Sequence, residues 1–337
     1  MNKRGIMDWE TLLEEYFFSK PLRPETESSY RKVVAVFQKF IGEDKLPDEV
    51  THRDLILWRR DMLGRGLTTS TWNNKVRHLR ALYNQGIKKN WLTITDNPLD
   101  ETQVPPGNKR KKILNRNQIV RLNLVLAQFE EREKLRIGKP RPCALYPVWY
   151  WRTVIDVLRS TGMRQNQLLH IRLMDVDLEA NSMLLCKEGS KTHREWLVPI
   201  VSFVRERMQI LVERAKNQGA EPEDYLFDVD RFKNPLGEVG LEPEIQPVRS
   251  FFTRLSKECG FKVSPHRFRH TLATEMMKSP DRNLAMVKGL LGHRSVSTTM
   301  EYVELDLKIT GQALEDELSL YMDVIPVREE EVRLALT

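Results

Sequence analysis

Apolar residues in this chain recur three and four positions apart over most of its length, and one short β segment interrupts that spacing. This pattern confines the chain to a mainly α fold. Tyr30, Val33, Val34, Phe37, Phe40 and Ile41 repeat at helical spacing, while Arg31, Lys32, Gln38 and Lys39 fall on other faces. Residues 51–63 begin with a capping-type threonine and carry Leu55, Trp58 and Met62 on one side. Residues 71–89 turn Trp72, Val76, Leu79 and Tyr83 inward, with Lys75, Arg77, His78, Arg80, Lys88 and Lys89 elsewhere. Residues 1–104 therefore read as a small all-helical domain with a basic exterior.

Asn97-Pro98 stops the last of these helices, and Pro105-Pro106-Gly107 breaks regular structure ahead of Lys109, Arg110, Lys111 and Lys112. Residues 105–114 are expected to link two domains, their basic run either strapping a phosphate backbone or serving as a solvated tether. From residue 115 to 326 the pattern predicts a mixed α+β domain. Val148, Trp151, Ile155 and Leu158 form the inner stripe of a long helix. Residues 183–186 and 196–200, joined by a turn at Glu188-Gly189-Ser190, predict a small antiparallel β-hairpin. Helices resume near Phe203 and across 246–258, and the Pro-, Gly- and charge-rich stretches 136–147 and 228–247 are expected to be surface loops.

A length of 337 residues suits two such domains. The longest apolar stretch, residues 196–204, falls short of the roughly 20 residues of a membrane helix, and the first residues lack the features of a secretion signal. A cytoplasmic location is the expectation. Cys143, Cys186 and Cys259 are odd in number without C-x-x-C spacing, so reduced thiols are expected rather than a disulfide framework or a zinc site. A net charge of +7 favours a polyanionic partner, although position matters more than the total.

Four separated segments together supply what phosphodiester transfer needs without a metal. Ser160-Thr161-Gly162-Met163-Arg164 ends a helix at glycine and presents Arg164 just beyond it. Ser190-Lys191-Thr192 sits at the hairpin turn. Pro265-His266-Arg267-Phe268-Arg269-His270-Thr271 places His266 and Arg269 one helical turn apart on one face. Leu291-Gly292-His293 is followed by Glu301-Tyr302.

In order and spacing these segments resemble the tyrosine recombinases, or phage-type integrases. That family has an Arg after a T-G-x turn, a Lys on a β-hairpin, H-x-x-R followed by H-T, then L-G-H, and a Tyr nine residues after that His. The matching positions here are Arg164, Lys191, His266, Arg269, His293 and Tyr302. Lys187 lies on the same hairpin, but the distance from Lys191 to Val198-Pro199 fits the family's pattern. The resemblance covers nearly the whole chain and implies a helical core-binding domain, a catalytic domain and a C-terminal tail over residues 327–337.

It also implies roles for each residue. Two guanidiniums suit the nonbridging oxygens of one phosphate and the extra charge of a five-coordinate transition state, so Arg164 and Arg269 are the expected clamps. Tyr302 is the expected nucleophile, His266 its base, Lys191 the acid for the departing 5′ oxygen, and His293 a donor to the scissile phosphate. His170, His193 and His270 are read as structural, with His270 bonding inside its own helix. The expected activity is strand cleavage and rejoining through a 3′-phosphotyrosyl link and a Holliday junction, with no cofactor, metal or ATP.

Expected partners are double-stranded DNA recombination sites and three further copies of the chain in a tetramer on two duplexes, with accessory DNA-bending or directionality proteins left open. Lys75, Arg77, Arg80, Lys109, Arg110, Lys111 and Lys112 are candidate DNA contacts. Beyond Tyr302, Leu314, Leu318 and Met322 alternate with Glu315, Asp316 and Glu317, and this acidic tail would face protein rather than DNA. The chain departs from the family at Gln167, where an acidic residue is usual, and activity is expected to survive that change. Two other readings stay open: relaxation of a single duplex in the manner of a type IB topoisomerase, and a non-catalytic DNA-binding regulator of the same fold.

Overall fold

The computed structural model describes residues 7–105, 112–135, 143–190, 194–233, 244–278, 284–300 and 302. The chain divides into two compact units, Met1–Arg110 and Lys111–Thr337. Its architecture is mainly helical, with one small antiparallel sheet.

The first unit is built from α1 (Trp9–Phe18), α2 (Pro24–Ile41), α3 (His52–Gly64) and α4 (Thr69–Lys88). Their starts are set by side chains that accept otherwise orphaned backbone N–H groups. Asp8 caps α1, Thr68 caps α4, and Thr51 forms a reciprocal box with Asp54 at α3. Leu12, Phe37, Leu55, Trp58, Trp72, Leu79 and Tyr83 meet in one core. Phe40, which shares the spacing of the α2 stripe, is exposed instead: the helix buries only Val33, Val34 and Phe37. After α4 the chain folds back on that helix. Asn73 bonds the Val104 backbone through both its amide groups, and the Trp72 indole donates to the Thr102 carbonyl at 2.8 Å.

In the second unit α5 (Arg116–Lys134) and α6 (Val148–Thr161) come first, followed by the single-turn α7 (Gln165–Leu169). β1 (Val176–Asp177), β2 (Ser182–Leu185) and β3 (Trp196–Pro199) form the sheet in that order, all antiparallel. The predicted hairpin is β2–β3, in the register Met183 opposite Val198 and Leu185 opposite Trp196. Strand β1 adds two residues that carry no alternating pattern of their own. α8 (Ser202–Asn217), α9 (Asp230–Lys233), α10 (Gln246–Cys259), α11 (Pro265–Lys278), α12 (Leu284–Leu291) and α13 (Val296–Met300) complete the described chain.

Helix α6 is the centre of this unit. Val148, Trp151, Ile155 and Leu158, the stripe expected from spacing, are fully buried, and α5, α8 and α11 pack around them. Trp151 stacks on Phe251 of α10 at 4.1 Å between ring centroids. Because α6 ends and α11 begins its buried run side by side, the residues just past α6 and those along α11 come together. No helix among the described residues is long and apolar enough to cross a membrane.

Candidate active site

Gly162 closes α6 in the left-handed conformation, with φ of +62°. A Cβ there would meet Leu291 Cδ2 at 2.9 Å and Leu272 Cδ2 at 3.1 Å, so both conformation and space select glycine. The turn delivers Arg164 to the start of α7, where its backbone N–H donates to the Gln167 side-chain oxygen at 2.8 Å. Gln167 is fully buried, and its amide nitrogen has no hydrogen-bond acceptor among the described residues. Arg164 Nη1 is likewise buried without an acceptor there, and burial holds this guanidinium below its ordinary value.

Arg269 lies on the buried face of α11, 3% exposed. Its Nη1 donates to the Gly162 carbonyl and its Nη2 to the Leu291 carbonyl, each at 2.8 Å, so the guanidinium plane is fixed by two helix ends. Burial lowers its pKa to about 10; repulsion from Arg164 adds to that shift, and the neighbouring Tyr302 phenol opposes it. At neutral pH Arg269 stays charged, beside a second cation.

His293 follows Gly292, which ends α12 with φ of +60°. The Arg269 Nη2 approaches His293 Nε2 to 2.7 Å, and His293 Nδ1 lies 2.8 Å from Thr299 Oγ1. An arginine can only donate, so Nε2 is the acceptor and Nδ1 carries the proton. The expected phosphate donor is thus turned onto Arg269. Thr299 does two things, because its carbonyl also accepts from the Tyr302 backbone N–H at 3.0 Å. No sequence motif singled it out.

Tyr302 is 5% exposed, its ring stacked on His293 at 5.9 Å and 10°. Its hydroxyl lies 3.1 Å from Nδ1 of His270. The expectation that His270 serves only its own helix misses this contact. It could not be read from sequence, because it joins positions 32 residues apart.

Arg164, Arg269, His293 and Tyr302 therefore come together. His266 opens α11 one turn before Arg269 and is exposed. Lys191 lies outside the described residues, but the hairpin that carries it is tied to the site. The Trp196 indole donates to the Leu290 carbonyl at 3.2 Å, and Asn166 donates to the Gly189 carbonyl at 3.3 Å. Of the candidate DNA contacts, Lys109, Arg110 and Lys111 are also outside the described residues. Lys112 and Arg77 are exposed. Lys75 is half-buried with its ammonium over the Trp58 ring, and Arg80 donates to the Leu99 carbonyl at 2.6 Å.

On the same helix as the site, Arg267 and Thr271 hold the incoming chain. Arg267 Nε donates to the Lys112 carbonyl at 3.0 Å, its Nη2 to the Ile113 carbonyl, and Thr271 Oγ1 accepts from the Leu114 N–H at 2.8 Å.

Residues 146–308 match the phage integrase family, and residues 11–93 match the phage integrase N-terminal SAM-like domain. A Pseudomonas syringae protein described as a tyrosine recombinase XerC is 33% identical over 90% of this chain, which spans 63% of that relative's length. A Pseudomonas aeruginosa protein of the same description is 33% identical over 88% of the chain and 69% of its own length. The fold is similar to that of the Tn1549 transposon integrase solved with circular intermediate DNA, with a TM-score of 0.67, 19% identity, and coverage of 92% of this chain and 99% of that one. The chain belongs to the phage integrase family of tyrosine recombinases.

Proposed function

We propose that the protein is a site-specific DNA recombinase in which Tyr302 attacks a phosphodiester and leaves a 3′-phosphotyrosyl bond. One observation carries the reading: a buried phenol stands beside two guanidiniums, and Arg164 Nη1 has no acceptor among the described residues. A buried and a half-buried cation repel one another, and a phosphate between them would reverse that repulsion and take up the unpaired donor.

In cleavage, Arg164 and Arg269 hold the nonbridging oxygens and stabilise the charge that builds on them in the five-coordinate transition state. The Tyr302 oxygen forms its bond to phosphorus as the bond to the 5′ oxygen breaks, and Lys191 gives that oxygen its proton. His266 receives the phenol proton in this reading. His293 turns from Arg269 to the phosphate once the guanidinium has taken an anion. The covalent link keeps the energy of the broken phosphodiester, so a new 5′ hydroxyl can reverse the step without ATP. Lys75, Arg77 and Arg80, with the basic run 109–112, supply backbone contacts that fix register rather than sequence. Four copies on two duplexes would exchange strands through a Holliday junction, with residues 327–337 docking on a neighbour.

The test mixes the protein, or Tyr302→Phe, with nicked duplexes tiled across the DNA that flanks its gene, chelator present. An SDS-resistant adduct formed by the wild type alone is the expected result. Specific binding by both proteins with no adduct would replace this reading with a regulator of the same fold. Adducts accompanied by relaxation of a single duplex, and never by exchange, would replace it with a topoisomerase.

A further inference from the structure

His78, His170 and His270 lie in or at the end of helices, and their Nδ1 atoms do not all turn the same way. His78 and His170 direct that nitrogen to the carbonyl four residues back, Asn74 and Asn166, each at 2.7 Å. His270 directs it instead across to α13's end, 3.1 Å from the Tyr302 hydroxyl, with the two rings 5.5 Å apart and tilted by 40°.

Arg269, the preceding residue of α11, is close enough to Tyr302 for its charge to act on the phenol. The Tyr302 oxygen and His270 Nδ1 therefore share their hydrogen bond within reach of that cation. The Tyr302 ring also lies parallel to the His293 ring, their centroids 5.9 Å apart.

We propose that His270 is a positioning residue for the nucleophile: by sharing a hydrogen bond with the Tyr302 hydroxyl it fixes which side of that oxygen is left to face a bound phosphate. The proposal rests on the reading of Tyr302 as nucleophile. It assigns to the His after the second Arg a task separate from that of His266, one helical turn earlier. The hydroxyl lies near a guanidinium and bonds an imidazole from adjacent positions of one helix. Attack then needs only a small displacement of an already oriented oxygen, and misplacing it by about 1 Å costs on the order of a hundredfold in rate.

Two variants separate this from a merely structural role. His270→Ala removes the partner, whereas His270→Asn keeps a hydrogen-bonding group close to where Nδ1 stood and cannot titrate near neutral pH. In the full chain carrying 3-fluorotyrosine at position 302, the fluorine resonance should move towards that of a free fluorotyrosine in His270→Ala and return in His270→Asn. This arm needs no DNA. On the duplex that traps wild-type adduct, His270→Ala should slow adduct formation tenfold to a hundredfold with unchanged noncovalent binding, and His270→Asn should recover most of the rate.

An unmoved resonance in His270→Ala, or an unchanged adduct rate, would overturn the proposal while leaving Tyr302 as nucleophile. Equal loss of rate in both variants would overturn it in favour of His270 as the proton acceptor. Adduct formation by Tyr302→Phe would instead overturn the reading on which it rests.

Discussion

The indole of Trp196 occupies the space that a side chain at Gly292 would need: a Cβ there would lie 2.3 Å from two of its ring carbons. One residue on the β-hairpin thus fixes the identity of the residue that aims His293. Gly292→Ala combines this overlap with φ of +60° and should destabilise the protein by about 3 kcal/mol or more, read by thermal or urea unfolding. Adding Trp196→Ala should recover part of that loss. An unchanged melting midpoint in Gly292→Ala would contradict the packing described.

Arg164 and Arg269 should fail in different ways. Arg269→Ala leaves the carbonyls of Gly162 and Leu291 buried without their donors and should cost about 2–4 kcal/mol of stability as well as all adduct formation. Arg164→Ala withdraws an Nη1 with no acceptor among the described residues. It should leave the fold within about 1 kcal/mol of wild type and still slow cleavage by about a hundredfold or more. Unfolding curves beside adduct kinetics decide the matter.

Thr299→Val keeps shape and deletes the hydroxyl that pairs with His293 Nδ1. The buried ring N–H then lacks an acceptor, a loss of about 1–2 kcal/mol. If the same energy is lost from the transition state, cleavage slows by about tenfold. Thr299→Ser should restore both.

Thiol chemistry gives a check on the β-hairpin. Burial, with the hydrogen bond from the Cys186 thiol to Asp175, pushes Cys186 up to about 12, and burial pushes Cys259 up to about 11. At pH 8 the thiolate fractions are then on the order of 10⁻⁴ and 10⁻³, so both should resist iodoacetamide in the native state and react on unfolding. The ordinary thiol value is 9.0, so between pH 9 and 12 the unfolded chain holds fewer protons on Cys186 than the folded chain does. Its contribution to stability is complete below 9 and falls as pH rises through that window. Asp175→Asn should make Cys186 react faster.

The helices legible in the sequence are those whose packing face repeats without interruption. Val148, Trp151, Ile155 and Leu158 are buried as their spacing requires, since α6 is surrounded and every turn must be apolar. Phe40 kept the period of α2 but stands outside the core, because only part of that face is covered. β1 left no signal, being two residues long, and α1 lay in a stretch where Trp9, Leu12, Leu13, Tyr16 and Phe17 went unread as a helix. At the site, residues with charge or nucleophilic chemistry were visible as motifs. Thr299 was not, since a threonine hydroxyl has many ordinary uses, and the His270 contact depends on where α13 ends in space.

Arg267 and Thr271 grip the segment entering the second unit through carbonyls and an N–H of residues 112–114, not through its side chains. A grip of that kind is blind to sequence and strict about length. Chimaeras that graft a different first unit onto this second unit should accept almost any residues there, provided the number of residues running from this grip to the Asn115 cap of α5 is kept.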